Sequence, residues 1–153
     1  MTNDAATTAK DIQIDPRGYR FGASVTLLVS IVALVIGANI AGTITMAILA
    51  LLFLPGATIG PQATLQSWIF KRAIRPRLGA PTETESFRPP RFAQQMGLGF
   101  SVLAVIFGAL DIALGFYIFT GFVVAASFLN SVFGFCLGCE IYLLAKRATT
   151  RAA

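Results

Sequence analysis

Four long apolar stretches divide the chain, and the charged residues are confined to the segments between and beyond them. Residues 21–40, 43–62, 92–114 and 122–145 each come close to the roughly 20 residues that an α-helix needs to cross a hydrocarbon core. Asn39, Gly42 and Thr43 mark an uncharged turn after the first stretch, and Gly115 to Gly121 mark a second after the third. Pro55 and Pro61 are expected to kink the second span, since proline removes a backbone donor. The pattern predicts an all-α fold: a four-transmembrane-helix bundle over residues 15–148, with a polar, disordered tail at 1–14, a basic loop at 71–91 and a short tail at 149–153.

Composition narrows the class. The 153 residues are 56% apolar and 12% charged, about half the usual share of charge in a soluble domain, and the mean hydropathy is +0.74. The first apolar run is too long for the core of a cleavable signal peptide. The net charge of +5 does not point to nucleic acid, because the basic residues flank apolar runs, where lipid headgroups are met. The chain has no histidine, which removes Ser-His-Asp and Cys-His catalysis and the commonest metal ligand. No cofactor is expected.

Charge also sets an orientation. All twelve Lys and Arg residues fall in the N-terminal segment, the central loop or the C-terminal tail, and neither remaining turn has one. Four spans put those three segments on one side, and the positive-inside rule makes that side cytoplasmic. An inner-membrane protein with both termini cytoplasmic is expected.

The chain also reads as two duplicated helical hairpins. Arg20-Phe21 and Arg91-Phe92 each open a span, and Lys71-Arg72-Ala73 and Lys146-Arg147-Ala148 each close one. Both copies start on the same side, which defines a parallel repeat about an axis along the membrane normal. In this alignment Cys136 stands opposite Pro61, and Cys139 opposite Thr64.

The candidate chemistry lies in residues 130–142, which hold both cysteines. On a continuous fourth helix, Cys136 and Glu140 lie one turn apart on one face. Gly134 and Gly138 lie on the opposite face, a small-residue surface for close helix packing, with Asn130 one turn earlier as an interhelical hydrogen-bond donor. Counted back from Lys146 at about 1.5 Å per residue, Glu140 lies roughly 9 Å and Cys136 roughly 15 Å into the membrane. A carboxylate at that depth needs a partner, and Arg20 and Arg91 at the mouths of the first and third spans are the candidates.

Three readings of the cysteines follow. A dithiol/disulfide pair would use Cys136 and Cys139 as nucleophile and resolving thiol, with Glu140 as the proton shuttle; burial would raise the thiol and carboxyl pKa values alike. A metal site has at most Cys136, Cys139 and Glu140, one short of the four ligands zinc takes, so it would need a second copy of the chain in a homo-oligomer. Packed cysteines would behave as small hydrophobes. Other classes also stay open: a transporter or channel for a small sulfur species, or a non-catalytic assembly subunit.

Several blocks carry a family resemblance: Asp15-Pro16-Arg17, Arg75-Pro76-Arg77-Leu78-Gly79, Pro89-Pro90-Arg91-Phe92-Ala93-Gln94, and Phe133-Gly134-Phe135-Cys136-Leu137-Gly138-Cys139-Glu140-Ile141-Tyr142. Across residues 14–147 the chain resembles a bacterial membrane family known as domain of unknown function 4395. Genes of that family often lie beside those of thioredoxin-like proteins and rhodanese-type sulfurtransferases. The resemblance therefore implies, by association, thiol redox or sulfur trafficking with a cytoplasmic partner of one of those kinds.

Overall fold

The computed structural model describes residues 11–152. Four long helices carry the fold: α1 (Pro16–Ile36), α2 (Ile40–Thr58), α5 (Arg88–Ala109) and α6 (Ala113–Phe133). Each is long and apolar enough to cross a membrane. Between α2 and α5 come a 3-10 turn (Pro61–Ala63), α3 (Leu65–Ile69), a π-helical turn (Phe70–Ile74) and α4 (Arg75–Leu78). A final helix, α7 (Leu137–Arg151), follows α6 after a break.

Helix packing closes a ring in the order α1, α2, α5, α6, with α2 against α5 and α1 against α6. Ala33, Met46, Leu49, Phe53, Ala104, Phe116 and Val123 form its core. Large apolar side chains also cover the outside, among them Leu28, Val35, Ile40, Leu51 and Leu114. A soluble monomer rarely shows so extensive an apolar surface; it suits contact with a lipid bilayer. A Ser24–Ser131 hydroxyl pair, 2.7 Å apart, links α1 to α6, an interhelical bond of the kind that holds membrane helices in register.

Several boundaries differ from expectation. Residues 1–10 of the expected tail lie outside the described residues, but Gln13–Ile14 is ordered as strand β1 and pairs antiparallel with β2 (Glu85–Ser86). At the other end α7 runs on to Arg151 through the expected second tail. The fourth long helix begins at Ala113 and ends at Phe133, not at 122 and 145. Glycine is well tolerated in membrane helices, so Gly115 and Gly121 sit inside α6. The turn between α5 and α6 is reduced to residues 110–112, with Asp111 exposed at a φ of +56°.

The α1 N-terminus is fixed by Asp15. Its carboxylate accepts from the Arg17 backbone N–H at 3.0 Å and from the Arg17 guanidinium at 3.1 Å, while Pro16 takes the first helical position, where no donor is needed. Desolvation alone would raise the Asp15 pKa, but the bonds to Arg17 outweigh it and hold the carboxyl below its ordinary 3.8. A depressed folded pKa gives stability that is whole above about pH 4 and is lost as the pH falls through the lowered value. The protection factors of amides in the first turn of α1, that is, exchange relative to the intrinsic rate at each pH, are therefore expected to fall below that range in the native chain. In Asp15→Asn, which keeps the cap without the titration, they should stay flat.

Candidate functional site

The cysteine stretch lies at a helix junction, and this changes its geometry. Gly134 ends α6 with φ +66°, a left-handed conformation that glycine adopts without strain. Its N–H bonds back to the Asn130 carbonyl, and the Phe135 N–H bonds to the Leu129 carbonyl. The Arg20 guanidinium lies over Gly134: a Cβ there would stand 3.3 Å from the Arg20 Cζ. Cys136 is extended and is the N-cap of α7; the Cys139 N–H donates to its sulfur at 3.3 Å. Cys136 and Cys139 are joined as a disulfide, with Cα atoms 5.2 Å apart.

The single-helix geometry of residues 122–145 is therefore corrected. Across the break the 100° step no longer holds, so Gly134 and Gly138 do not share a face. Gly134 meets only the Arg20 side chain, whereas Gly138 meets the backbone of a neighbouring helix: a Cβ on it would lie 2.7 Å from the Ala93 Cα of α5. Phe92 and Tyr142, with ring centroids 5.8 Å apart, extend the same contact. Ala93 is five residues into α5, so the cysteine pair sits about 8 Å along from the start of that helix, near the mouth of the bundle.

The expected partners of Glu140 are also corrected. Glu140 is exposed in the first turn of α7 and makes no ion pair with Arg20 or Arg91. A carboxylate there is favoured by the positive end of the helix dipole. Arg91 instead closes the C-terminus of α2, donating from Nη2 to the Thr58 carbonyl at 2.7 Å and from Nε to the Ala57 carbonyl at 3.3 Å. Arg20 holds the matching place at the end of α6. Arg91 caps its helix end with hydrogen bonds and Arg20 lies beside the other, both placed where a cation complements the dipole.

Asn130 differs from expectation too. Its Oδ1 is buried and has no hydrogen-bond partner. It lines a cleft of about 100 Å³ between the long helices and the start of α7. Thr26 and Ser127 add hydroxyls, Gln94 a carboxamide, and Phe53, Phe100 and Val123 apolar walls. Cys136, Leu137 and Gly138 form one side of it; Cys139 does not reach it, and no Asp, Glu, Lys or Arg lines it. Sequence reasoning missed Thr26, Gln94 and Ser127. Their only signal was being polar within apolar spans. Among the described residues no three His, Cys, Asp or Glu side chains converge as metal ligands would.

Four helices in a ring, each long and apolar enough to cross a membrane, are consistent with a multi-pass membrane protein of the helical-bundle class. Within that class the chain belongs to the family described as Domain of unknown function (DUF4395), whose model matches residues 14–147. No curated protein and no solved structure matches the chain.

Proposed function

We infer that this protein is an inner-membrane component of thiol–disulfide exchange or sulfur relay that works through Cys136 and Cys139. The observation that carries the reading is the disulfide at the N-terminus of α7 with Cys136 in the wall of the cleft. Burial in an apolar helix would leave the thiols inert. A helix N-terminus has the opposite effect: the dipole and the Cys139 N–H favour negative charge on the Cys136 sulfur once the bond opens. Cys136 then serves as the nucleophile and Cys139, one turn on, as the resolving thiol. Glu140, exposed beside them, exchanges the proton with water. The partner class the family resemblance implies is a cytoplasmic thioredoxin-like or rhodanese-type protein.

The orientation proposed is cytoplasmic for both termini. Positive-inside charge supports it, as does the pairing of β1 with β2, which puts the N-terminal segment and the central loop on one face. A duplicated hairpin is likewise supported. The ends of α2 and α6, Thr58 and Phe133, stand 75 residues apart, as do Lys71 and Lys146. The short helix after each break packs on the first helix of its own hairpin, α3 on α1 and α7 on α5.

Transport of a small sulfur species is the second reading. The Ser101 and Thr120 hydroxyls favour it, being buried within the bundle without partners. Against it, fully buried Met46, Leu49 and Phe116 fill the core. Uptake into vesicles that is lost in Cys136→Ala would favour transport.

Thiol alkylation with mass readout on native membranes, with and without oxidant, tests the first reading. The pair is expected to block alkylation when oxidised and to take two labels after mild reduction, with the oxidised fraction following the redox state of the cells. A pair that stays fully oxidised in every condition is structural, and the reading fails.

A further inference from the structure

The disulfide is shielded, with Cys136 and Cys139 each only 9% exposed. That leaves little of either residue open to a protein thiol meeting the α7 surface. The cleft offers a different approach, to Cys136 alone.

Four properties define what the cleft would take. It is small, at about 100 Å³. It has no charged side chain in its lining, and a charge buried there without a partner would be strongly disfavoured. Asn130, whose Oδ1 is buried without a hydrogen-bond partner, is among its lining residues, and an unmade buried hydrogen bond costs about 1–3 kcal/mol. Finally, the reactive atom in its wall is a disulfide sulfur, whose attacking group is a thiolate.

We propose that the cleft is the binding site of a small thiol, uncharged apart from its sulfur, that reduces the Cys136–Cys139 disulfide. This rests on the exchange reading and names its substrate class. The incoming sulfur attacks the Cys136 Sγ, the bond to Cys139 breaks, and a mixed disulfide forms on Cys136. The electron pair goes to the Cys139 sulfur, which takes up the proton the thiol has lost. A second thiol attacks the mixed disulfide and leaves as the symmetric disulfide. Two thiols are thereby oxidised by two electrons, the protein disulfide is reduced to the dithiol, and no other oxidant enters this half of the cycle. The Asn130 carboxamide holds the polar end of the bound thiol.

The test uses the full chain in lipid nanodiscs with the disulfide formed. Its reduction is followed with neutral mercaptoethanol, anionic mercaptoethanesulfonate, cationic cysteamine and reduced thioredoxin, each rate corrected for thiolate fraction and nucleophilicity. The neutral thiol is expected to react fastest of the three small ones, with a rate that saturates. Asn130→Leu should slow it by about tenfold, the size of one lost buried hydrogen bond, and Ala126→Leu, which fills the cleft, should slow it further. Equal corrected rates for the three small thiols, linear in concentration, would overturn the proposal using the native chain alone. Reduction by thioredoxin but not by mercaptoethanol would overturn the small-thiol site and leave the exchange reading standing. If no thiol reduces the pair in the folded chain while all do so after denaturation, the exchange reading itself falls, and the site with it.

Discussion

Cys139→Ser is expected to accumulate a mixed disulfide on Cys136 when the membranes are exposed to thiol and oxidant, whereas Cys136→Ser is expected to accumulate none. The asymmetry comes from placement: Cys136 lines the cleft, and Cys139 sits behind it in the first turn of α7. In the native chain Cys139 attacks any adduct on Cys136 within the same turn. Well-oriented intramolecular attack has effective molarities on the order of 10⁵ M or more. Removing that attack should lengthen the life of the adduct by several orders of magnitude. Intact-mass measurement of each variant, with and without reductant, reads the result. Adducts forming equally on both variants would show that the two sulfurs share one approach. Adducts on neither would show that the pair does not exchange.

The second large effect is expected at Gly138. An added Cβ would stand 2.7 Å from the Cα and 2.8 Å from the Cβ of Ala93, and the Cα, as part of the backbone, has little room to move. Gly138→Ala should therefore push the head of α7 off α5, at a cost of about 1–3 kcal/mol by analogy with overpacked cores. The shift opens the side of the cleft that Cys136 to Gly138 form. The thermal midpoint in detergent should fall, and the reduced cysteines should alkylate faster than in the native chain. Gly99, whose added Cβ would meet nothing within 4 Å, is the matched control, and Gly99→Ala should change neither quantity. A Gly138→Ala protein with native midpoint and labelling would mean that α7 does not rest on α5 at this point.

The long helices were legible because hydropathy marks them directly: the apolar runs are long, and charge stops at their ends. Their boundaries were less so. The first helix starts at Pro16, ahead of the apolar run, because Asp15 caps it and proline favours its first position. The break before α7 left no mark in hydropathy, since Phe133, Phe135 and Leu137 continue the apolar run on either side of it. The proposed internal repeat held a clue: it aligns Cys136 with Pro61, and a position equivalent to a helix-breaking proline is a poor place for a helix interior. For the site, the two cysteines were visible as a motif, but their setting was not. Whether a sulfur faces apolar lipid or a helix N-terminus depends on the Gly134 turn. The side chains that share the cleft come from five helices, α1, α2, α5, α6 and α7, most of them distant in sequence. Asn130, Thr26 and Gln94 converge only once the ring has closed.

The small β1–β2 clasp bears on how the chain is made. Its second strand, Glu85–Ser86, is translated before α5 begins at Arg88. Everything the clasp joins is thus synthesised before the second hairpin leaves the ribosome, and the contact of α3 with α1 belongs to the same stretch. The first hairpin can knot its own ends at the membrane surface while α5 and α6 are still being inserted, in keeping with N-terminal units folding first during synthesis. Both cysteines are synthesised after α6, so the oxidising step follows translation of the four long helices.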